Sequence, residues 1–268
     1  AGILPNHTKW VKFFSNLKFI VMDELHAYRG VFGSHVASVI RRLLRIAKFY
    51  GSSPTFIFSS ATIGNPQELA EHYLERKVEM IEDNGAGSGE KILVCINPPI
   101  VDEVQGLRRS NALEAESAML WLLQKGVRTI LFSRSRLQVE LLAHYLNQKL
   151  ENPFNRNYGI VVKPYRSGLL PSERREIERG LRNGTVHGVV STNALELGID
   201  IGGLDAAVIT GYPGSIASFW QQAGRAGRTS GISLAIYVAS SSPLDQYFVA
   251  HPEYFLSRGA EQAHIDTY

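Results

Sequence analysis

Two arginines three residues apart, Arg225 and Arg228, close the segment Gln221-Gln222-Ala223-Gly224-Arg225-Ala226-Gly227-Arg228. Arginine presents a planar fork that matches phosphate oxygens and stays charged. Gly224 and Gly227 leave no side chain to block a close approach. Such a pair suits stabilisation of the charge that develops during phosphoryl transfer, with Gln221 placed to contact a nucleotide or to bridge two domains. The bland alternative is a solvated basic helix end, favourable to the helix dipole. The Gln-x-x-Gly-Arg-x-Gly-Arg spacing argues for phosphate.

A second constellation lies far upstream. Asp23-Glu24-Leu25-His26 follows the apolar run Phe19-Ile20-Val21-Met22, which puts both carboxylates at the carboxyl end of a buried parallel strand, where open α/β sheets bind ligands. One carboxylate, Asp23, suits Mg²⁺; the other, Glu24, suits orienting or deprotonating an attacking water. An exposed acidic turn is the competing reading, and for His26 a hydrogen-bonded turn histidine. One βα unit later, Ser60-Ala61-Thr62 ends the strand Phe56-Ile57-Phe58-Ser59 with small groups able to bond neighbouring carboxylates and carbonyls. Taken alone, that tripeptide is an ordinary strand-to-helix turn, capped by Asn65 or Thr62.

Three further strand ends carry hydroxyls: Ser133-Arg134-Ser135, Tyr165-Arg166-Ser167 and Ser191-Thr192. Each alone reads as a cap; together they form a track for a sugar-phosphate backbone read without sequence preference. Gly198 permits tight approach, and Asp200 suits a ribose hydroxyl or the two arginines. Gly85-Ala86-Gly87-Ser88-Gly89-Glu90-Lys91 is a decoy phosphate loop: Glu90 separates glycine from lysine, Ile92 stands where a hydroxyl is needed, and a strand follows. The arginine groups 41, 42, 45 and 174, 175, 179 read as solvated helix faces.

The elements that position these groups alternate strand and helix throughout, which predicts an α/β fold with mostly parallel sheets. Helix is expected over 9–17, 34–50 (Ser34 as N-cap, Gly51 as stop), 66–74, 111–124, 136–150, 172–182 and 215–223. Strand is expected over 18–23, 55–59, 78–81, 92–96, 129–133, 159–165, 187–191, 206–210 and 233–239. The stretch from Pro98-Pro99 to Arg109 reads as an interdomain linker. The chain has 268 residues, 44% hydrophobic and 20% charged, with net charge +3. That allows two medium domains, and is too weakly basic to imply nucleic acid by itself. The single cysteine, Cys95, excludes an internal disulfide or a cysteine-cluster zinc site within these residues and fits a reducing, cytoplasmic setting. No apolar run approaches the roughly 18 residues of a membrane span, so no membrane partner is expected.

The order of these motifs resembles the superfamily-two DExH-box helicases: motif II is Asp23 to His26, motif III Ser60 to Thr62, motif IV lies around Ser133-Arg134, motif V runs from Ser191 to Asp200 and motif VI from Gln221 to Arg228. Three stretches narrow the resemblance to the mitomycin-repair helicase (MrfA/YprA) branch: Gly2-Ile3-Leu4-Pro5-Asn6-His7, Asp23 to Gly30, and Pro243-Leu244-Asp245-Gln246-Tyr247. The resemblance implies two RecA-like lobes: a first, truncated at its N-terminal side, over 1–97, a linker at 98–110, a second lobe over 111–242, and the start of a C-terminal extension at 243–268. It further implies ATP and Mg²⁺ as cofactors, single-stranded DNA as partner, 3′-to-5′ translocation in DNA repair, and a cysteine-rich zinc domain further on. It makes His26 and Ser60-Ala61-Thr62 coupling residues between ATP and nucleic-acid sites. The phosphate loop that such a motor carries before motif II is not in this sequence, so the expectation is a piece of a motor without turnover by itself. The alternatives are an RNA helicase or duplex translocase, and a non-catalytic nucleic-acid-binding fragment.

Overall fold

A computed structural model describes residues 2–60, 63–83, 85, 89–151, 159–196, 203–227, 231–257 and 259–266. The chain divides into two units, Ala1–Gly85 with Gly259–Tyr268, and Ala86–Arg258.

In the first unit, apolar alternation makes two parallel strands, β1 (Phe19–Met22) and β2 (Thr55–Phe58), in register from Phe19 opposite Thr55 to Met22 opposite Phe58. A short helix α1 (Val11–Ser15) precedes them. Between them runs α2 (Gly30–Phe49), whose buried face is Gly33, Ala37, Ile40 and Ala47; its spacing is that of one helical stripe. The third helix, α3 (Pro66–Leu74), places Leu69, Ala70, Tyr73 and Leu74 in the same core as Met22 and Leu25. The Tyr73 hydroxyl donates to Tyr28 O (2.8 Å) and Gly33 O (3.0 Å), and burial pushes its pKa up to about 12.

Two expectations fail here. Ser34 is not an N-cap: α2 starts four residues earlier, and the Ser34 hydroxyl donates back to Gly30 O (2.9 Å) within the first turn. Residues 78–81 form no strand, because Val78 spends its backbone groups on α3 side chains. Its amide donates to Glu71 Oε1 (3.2 Å), and its carbonyl accepts from Gln67 Nε2 (2.9 Å).

The second unit is built on a six-stranded sheet of β3 (Lys91–Ile96), β6 (Thr129–Phe132), β7 (Val162–Tyr165), β8 (Gly188–Ser191), β9 (Ala206–Thr210) and β10 (Ser233–Val238). Its order is β3-β10-β9-β6-β8-β7, with every neighbouring pair parallel. The central strands β6, β8 and β9 are buried along their whole length, as strands covered on both faces must be. The covering helices are α4 (Asn111–Gln124), α5 (Arg136–Leu150), α6 (Pro171–Asn183) and α7 (Ile216–Ala223).

The sheet redraws the expected domain limits. Residues 92–96 were expected in the first lobe, but β3 is an edge strand of the second sheet, paired with β10 from Lys91 opposite Ser233 onward. The expected linker is also part of this unit and carries an antiparallel hairpin, β4 (Ile100–Asp102) and β5 (Leu107–Arg108). The expected extension divides. Helices α8 (Pro243–Ala250) and α9 (Glu253–Ser257) belong to the second unit, with Phe248 and Phe255 packed among Tyr212, Phe219 and Tyr237, whereas residues 259–266 belong to the first. Among the described residues, no helix is long and apolar enough to cross a membrane.

Candidate functional site

The first unit brings motifs II and III together at the carboxyl ends of β1 and β2. After Met22 the chain turns sharply: Glu24 adopts a left-handed conformation (φ 55°), a region that costs a non-glycine residue energy and recurs at functional sites. The turn is pinned at three points. Leu25 N donates to Ser59 O (2.9 Å), Glu24 N donates to Asp23 Oδ1 (2.9 Å), and the Ser59 hydroxyl donates to the same Oδ1. The Ser59 bond, then that from Glu24 N, hold the exposed Asp23 carboxyl below its usual range. Both bonds fall on Oδ1, so the ionised carboxylate keeps its other oxygen for a cation. His26 Nδ1 lies 3.6 Å from Glu24 Oε2 and 3.4 Å from the Ser60 hydroxyl. Asp23, Glu24, His26 and Ser60 are thus gathered as expected, and Ser59 is an addition, hidden in the sequence as the last residue of an apolar strand. Ala61 and Thr62 lie outside the described residues.

Among the described residues no group of three or more His, Cys, Asp or Glu could hold a metal ion. A lone Asp23 fits Mg²⁺, which commonly takes one or two carboxylates and completes its shell with phosphate and water.

In the second unit the ends of β6, β8 and β9 open into a cavity of about 220 Å³ lined by Ser133, Arg134, Asn193, Glu196, Thr210, Gly211, Ser218 and Gln222, among others. It lies where the strand order reverses, the usual ligand position in an open α/β sheet. Glu196 ties motif V to motif VI. The Ser218 hydroxyl donates to its Oε1, Gln222 Nε2 to its Oε2 (3.1 Å), and Arg225 Nη2 to its main-chain carbonyl (2.6 Å). Arg225 is therefore buried against motif V, and Gln221 is half-buried on α7. Gly198, Asp200 and Arg228 lie outside the described residues. Gly227 has φ 82°, and an added Cβ would collide with Ser233, so packing inside the unit already requires glycine there.

The expected hydroxyl track is corrected. Tyr165 and Ser191 are fully buried: Tyr165 sits in the core cluster with Ile177 and Leu181 of α6, and β8 is buried along its whole length; the Tyr165 hydroxyl donates to Glu178 Oε1 (2.9 Å), and Ser191 donates to Thr192 O (2.8 Å). Burial, then the Glu178 bond, push the Tyr165 pKa up to about 12. Thr192 is buried and caps the 193–195 turn through Ala194 N (3.4 Å), and Ser133 donates to Gln138 Oε1 (2.9 Å). What faces solvent is basic. Arg134 is exposed, Arg166 pairs with Glu140 (2.6 Å), and Arg136, which the motif reading passed over, donates to exposed Ser167 (3.1 Å). Of the decoy loop, residues 86–88 lie outside the described residues; Lys91 opens β3, and its ammonium donates to Ala223 O (3.0 Å) at the end of α7.

The Asp245 of the Pro243–Tyr247 stretch clamps the loops above the cavity. It is buried and accepts from Tyr212 N (3.0 Å) and Ser240 N (2.7 Å). Burial pushes its pKa up, but the bonds from Ser240 and Tyr212 outweigh that, leaving it below the ordinary 3.8. A depressed folded-state value adds stability above the unfolded value that is lost as pH falls through the folded one. The melting temperature of the second unit is therefore expected to fall steeply below about pH 4, and less steeply in Asp245→Asn. Equal acid slopes by calorimetry would contradict this.

Residues 1–69 match the DEAD/DEAH box helicase family and residues 112–230 the helicase conserved C-terminal domain. The chain is 56% identical to YprA, an uncharacterized ATP-dependent helicase of Bacillus subtilis (strain 168), covering 99% of this chain and 35% of that protein. It is 45% identical to the ATP-dependent helicase HRQ1 of Saccharomyces cerevisiae, over 96% of this chain and 24% of that protein. The crystal structure of the helicase MrfA bound to DNA superposes with a TM-score of 0.93 at 56% identity, over 99% of this chain and 35% of that one. A second MrfA structure, bound to DNA and AMPPNP, gives 0.92 at 56% identity, over 99% of this chain and 36% of that one. The chain spans about a third or less of the length of these relatives. On motif order, site geometry and these matches, the chain belongs to the superfamily-two DEAD/DEAH-box helicases, in the MrfA/YprA branch.

Proposed function

We propose that this chain carries part of the motor of an ATP-dependent, 3′-to-5′ DNA helicase of the repair type, acting on single-stranded DNA in the cytoplasm. The observation that carries the reading is the motif II and III cluster: an ionised, hydroxyl-braced Asp23 beside a Glu24 that contacts His26, which in turn meets Ser60. Asp23 would hold Mg²⁺, which supplies charge neutralisation to the phosphates. Glu24 orients the attacking water and accepts its proton. His26 and Ser60 relay the state of that carboxylate to the turn after β2, with Ala61 and Thr62 continuing the relay. Arg225 and Arg228 serve as phosphate-facing fingers, Gln221 contacts the nucleotide, and Gly198 and Asp200 border it. The DNA backbone is held by Arg134, Arg166 and Ser167, with Arg136 added and with Ser133 and Thr192 shaping the strand ends behind them. The relatives named helicases, and MrfA's crystallisation with DNA and AMPPNP, support this assignment.

The reading is tested with a form of the chain extended upstream through a phosphate-binding loop. Single-stranded DNA is expected to stimulate its ATP turnover more than RNA of matched sequence. Greater stimulation by RNA would move the assignment to an RNA helicase.

A further inference from the structure

Residues 259–266 lie on the first unit, and their seat is built from both sides. Gly30 N donates to His264 O (2.7 Å) and Gly64 N to Glu261 O (3.1 Å). Asn65 uses its side-chain amide as a second peptide group: Nδ2 donates to Ala263 O (3.1 Å) and Oδ1 accepts from Ala263 N (2.8 Å). Asp266 N donates to the Ser34 hydroxyl (2.9 Å). Ala263 is buried in the cluster of Met22, Leu25 and Tyr73, with Ile265 packed beside it. Two glycines make the room. A Cβ on Gly33 would lie 2.6 Å from Ile265 Cγ2, and one on Gly64 would lie 2.5 Å from Ala260 O; real side chains do not sit that close.

The seat has a consequence for the chemistry. Gly30 and Gly33 follow the Asp23–His26 turn, and Gly64 and Asn65 follow the Ser59–Ser60 turn. One short segment therefore grips the downstream end of both. The two turns also meet directly, through Leu25 N to Ser59 O, Ser59 to Asp23, and Ser60 with His26.

We infer that residues 259–266 are a positioning strap that clasps the turn after Glu24 to Gly64 and Asn65, downstream of Ser60, and so fixes the Ser59–Asp23 and Ser60–His26 contacts. The meaning of those contacts rests on the proposed function; the strap itself is tested without nucleotide. Asn65→Ala removes the amide pairing, and Ala263→Glu puts a charge where the strap is buried, which ejects it. Amide hydrogen exchange on the 268-residue chain is expected to show faster exchange at Gly30, Gly64 and Ala263. It is also expected to show roughly tenfold faster exchange at Leu25, whose partner is Ser59 rather than the strap, with β6 and β9 unchanged. If Ala263→Glu unfolds the first unit, Asn65→Ala decides. Faster exchange in the strap with Leu25 within about twofold of its original rate would reduce the segment to packing and overturn the inference. Unchanged strap amides would overturn the seat itself. An upstream-extended form inert toward ATP would sink the functional reading and leave this result standing.

Discussion

Glu24→Gln, in a form of the chain extended upstream through a phosphate-binding loop, is expected to lower ATP turnover about 10²- to 10⁴-fold, the usual worth of a positioned general base. Nucleotide binding is expected to persist. The substitution keeps the size of the side chain and one acceptor oxygen, and removes the negative charge that accepts the proton of water. It spares the Asp23 carboxylate, which is braced independently by the Ser59 hydroxyl and by the backbone amide of residue 24. The loss therefore belongs in kcat, with KM for ATP little changed. Steady-state kinetics checks this, and a turnover within about threefold of the original would remove Glu24 from the chemistry. The strained turn makes the residue hard to replace, since its φ of 55° is sustained by the flanking bonds of Leu25 and Asp23.

Asp245→Ala carries the largest expected cost to stability. Its carboxylate satisfies the amides of Tyr212 and Ser240 in a buried site, and truncation strands both donors. At about 1–3 kcal/mol per stranded group, the second unit loses roughly 2–6 kcal/mol. Gly211 lies in the same loop with φ 68°, and its position for a Cβ is 2.9 Å from Asp245 Oδ2, so the carboxylate and the turn are fitted to each other. That loop lines the cavity at the ends of β6 and β9, so the substitution also loosens the site. Denaturant titration reads the loss; a change below about 1 kcal/mol would show that the clamp is dispensable.

The motifs were legible because each depends on local order. A strand of apolar residues ending in Asp-Glu places carboxylates at a sheet edge whatever the rest of the chain does, and the His26–Ser60 contact follows from two successive strand ends pairing in register. The helices at 66–74, 111–124 and 136–150 are found where the periodicity puts them. What escaped is non-local. The β3 strand pairs with β10, far along the chain, and parallel pairing leaves no mark in either segment. Ser191 ends a strand covered on both faces, so the alternation that distinguishes inward from outward side chains is missing there; Tyr165 ends the edge strand β7 and is buried by the distant α6 residues Ile177 and Leu181. Val78 has a strand-like side chain, but its backbone is claimed by Gln67 and Glu71. The Glu196 carboxylate gave no sign, because its partners Ser218 and Gln222 lie more than twenty residues away.

The most direct measurement is ATP turnover, with and without single-stranded DNA, by the 268-residue chain beside the form extended upstream through a phosphate-binding loop. A phosphate-binding loop offers backbone amides and a lysine to a triphosphate, so the extended form is the one expected to turn over. Turnover by the extended form alone, raised by DNA, is the result predicted for a chain that holds half of a helicase active site. Turnover in neither form would contradict the account and leave a nucleic-acid-binding module.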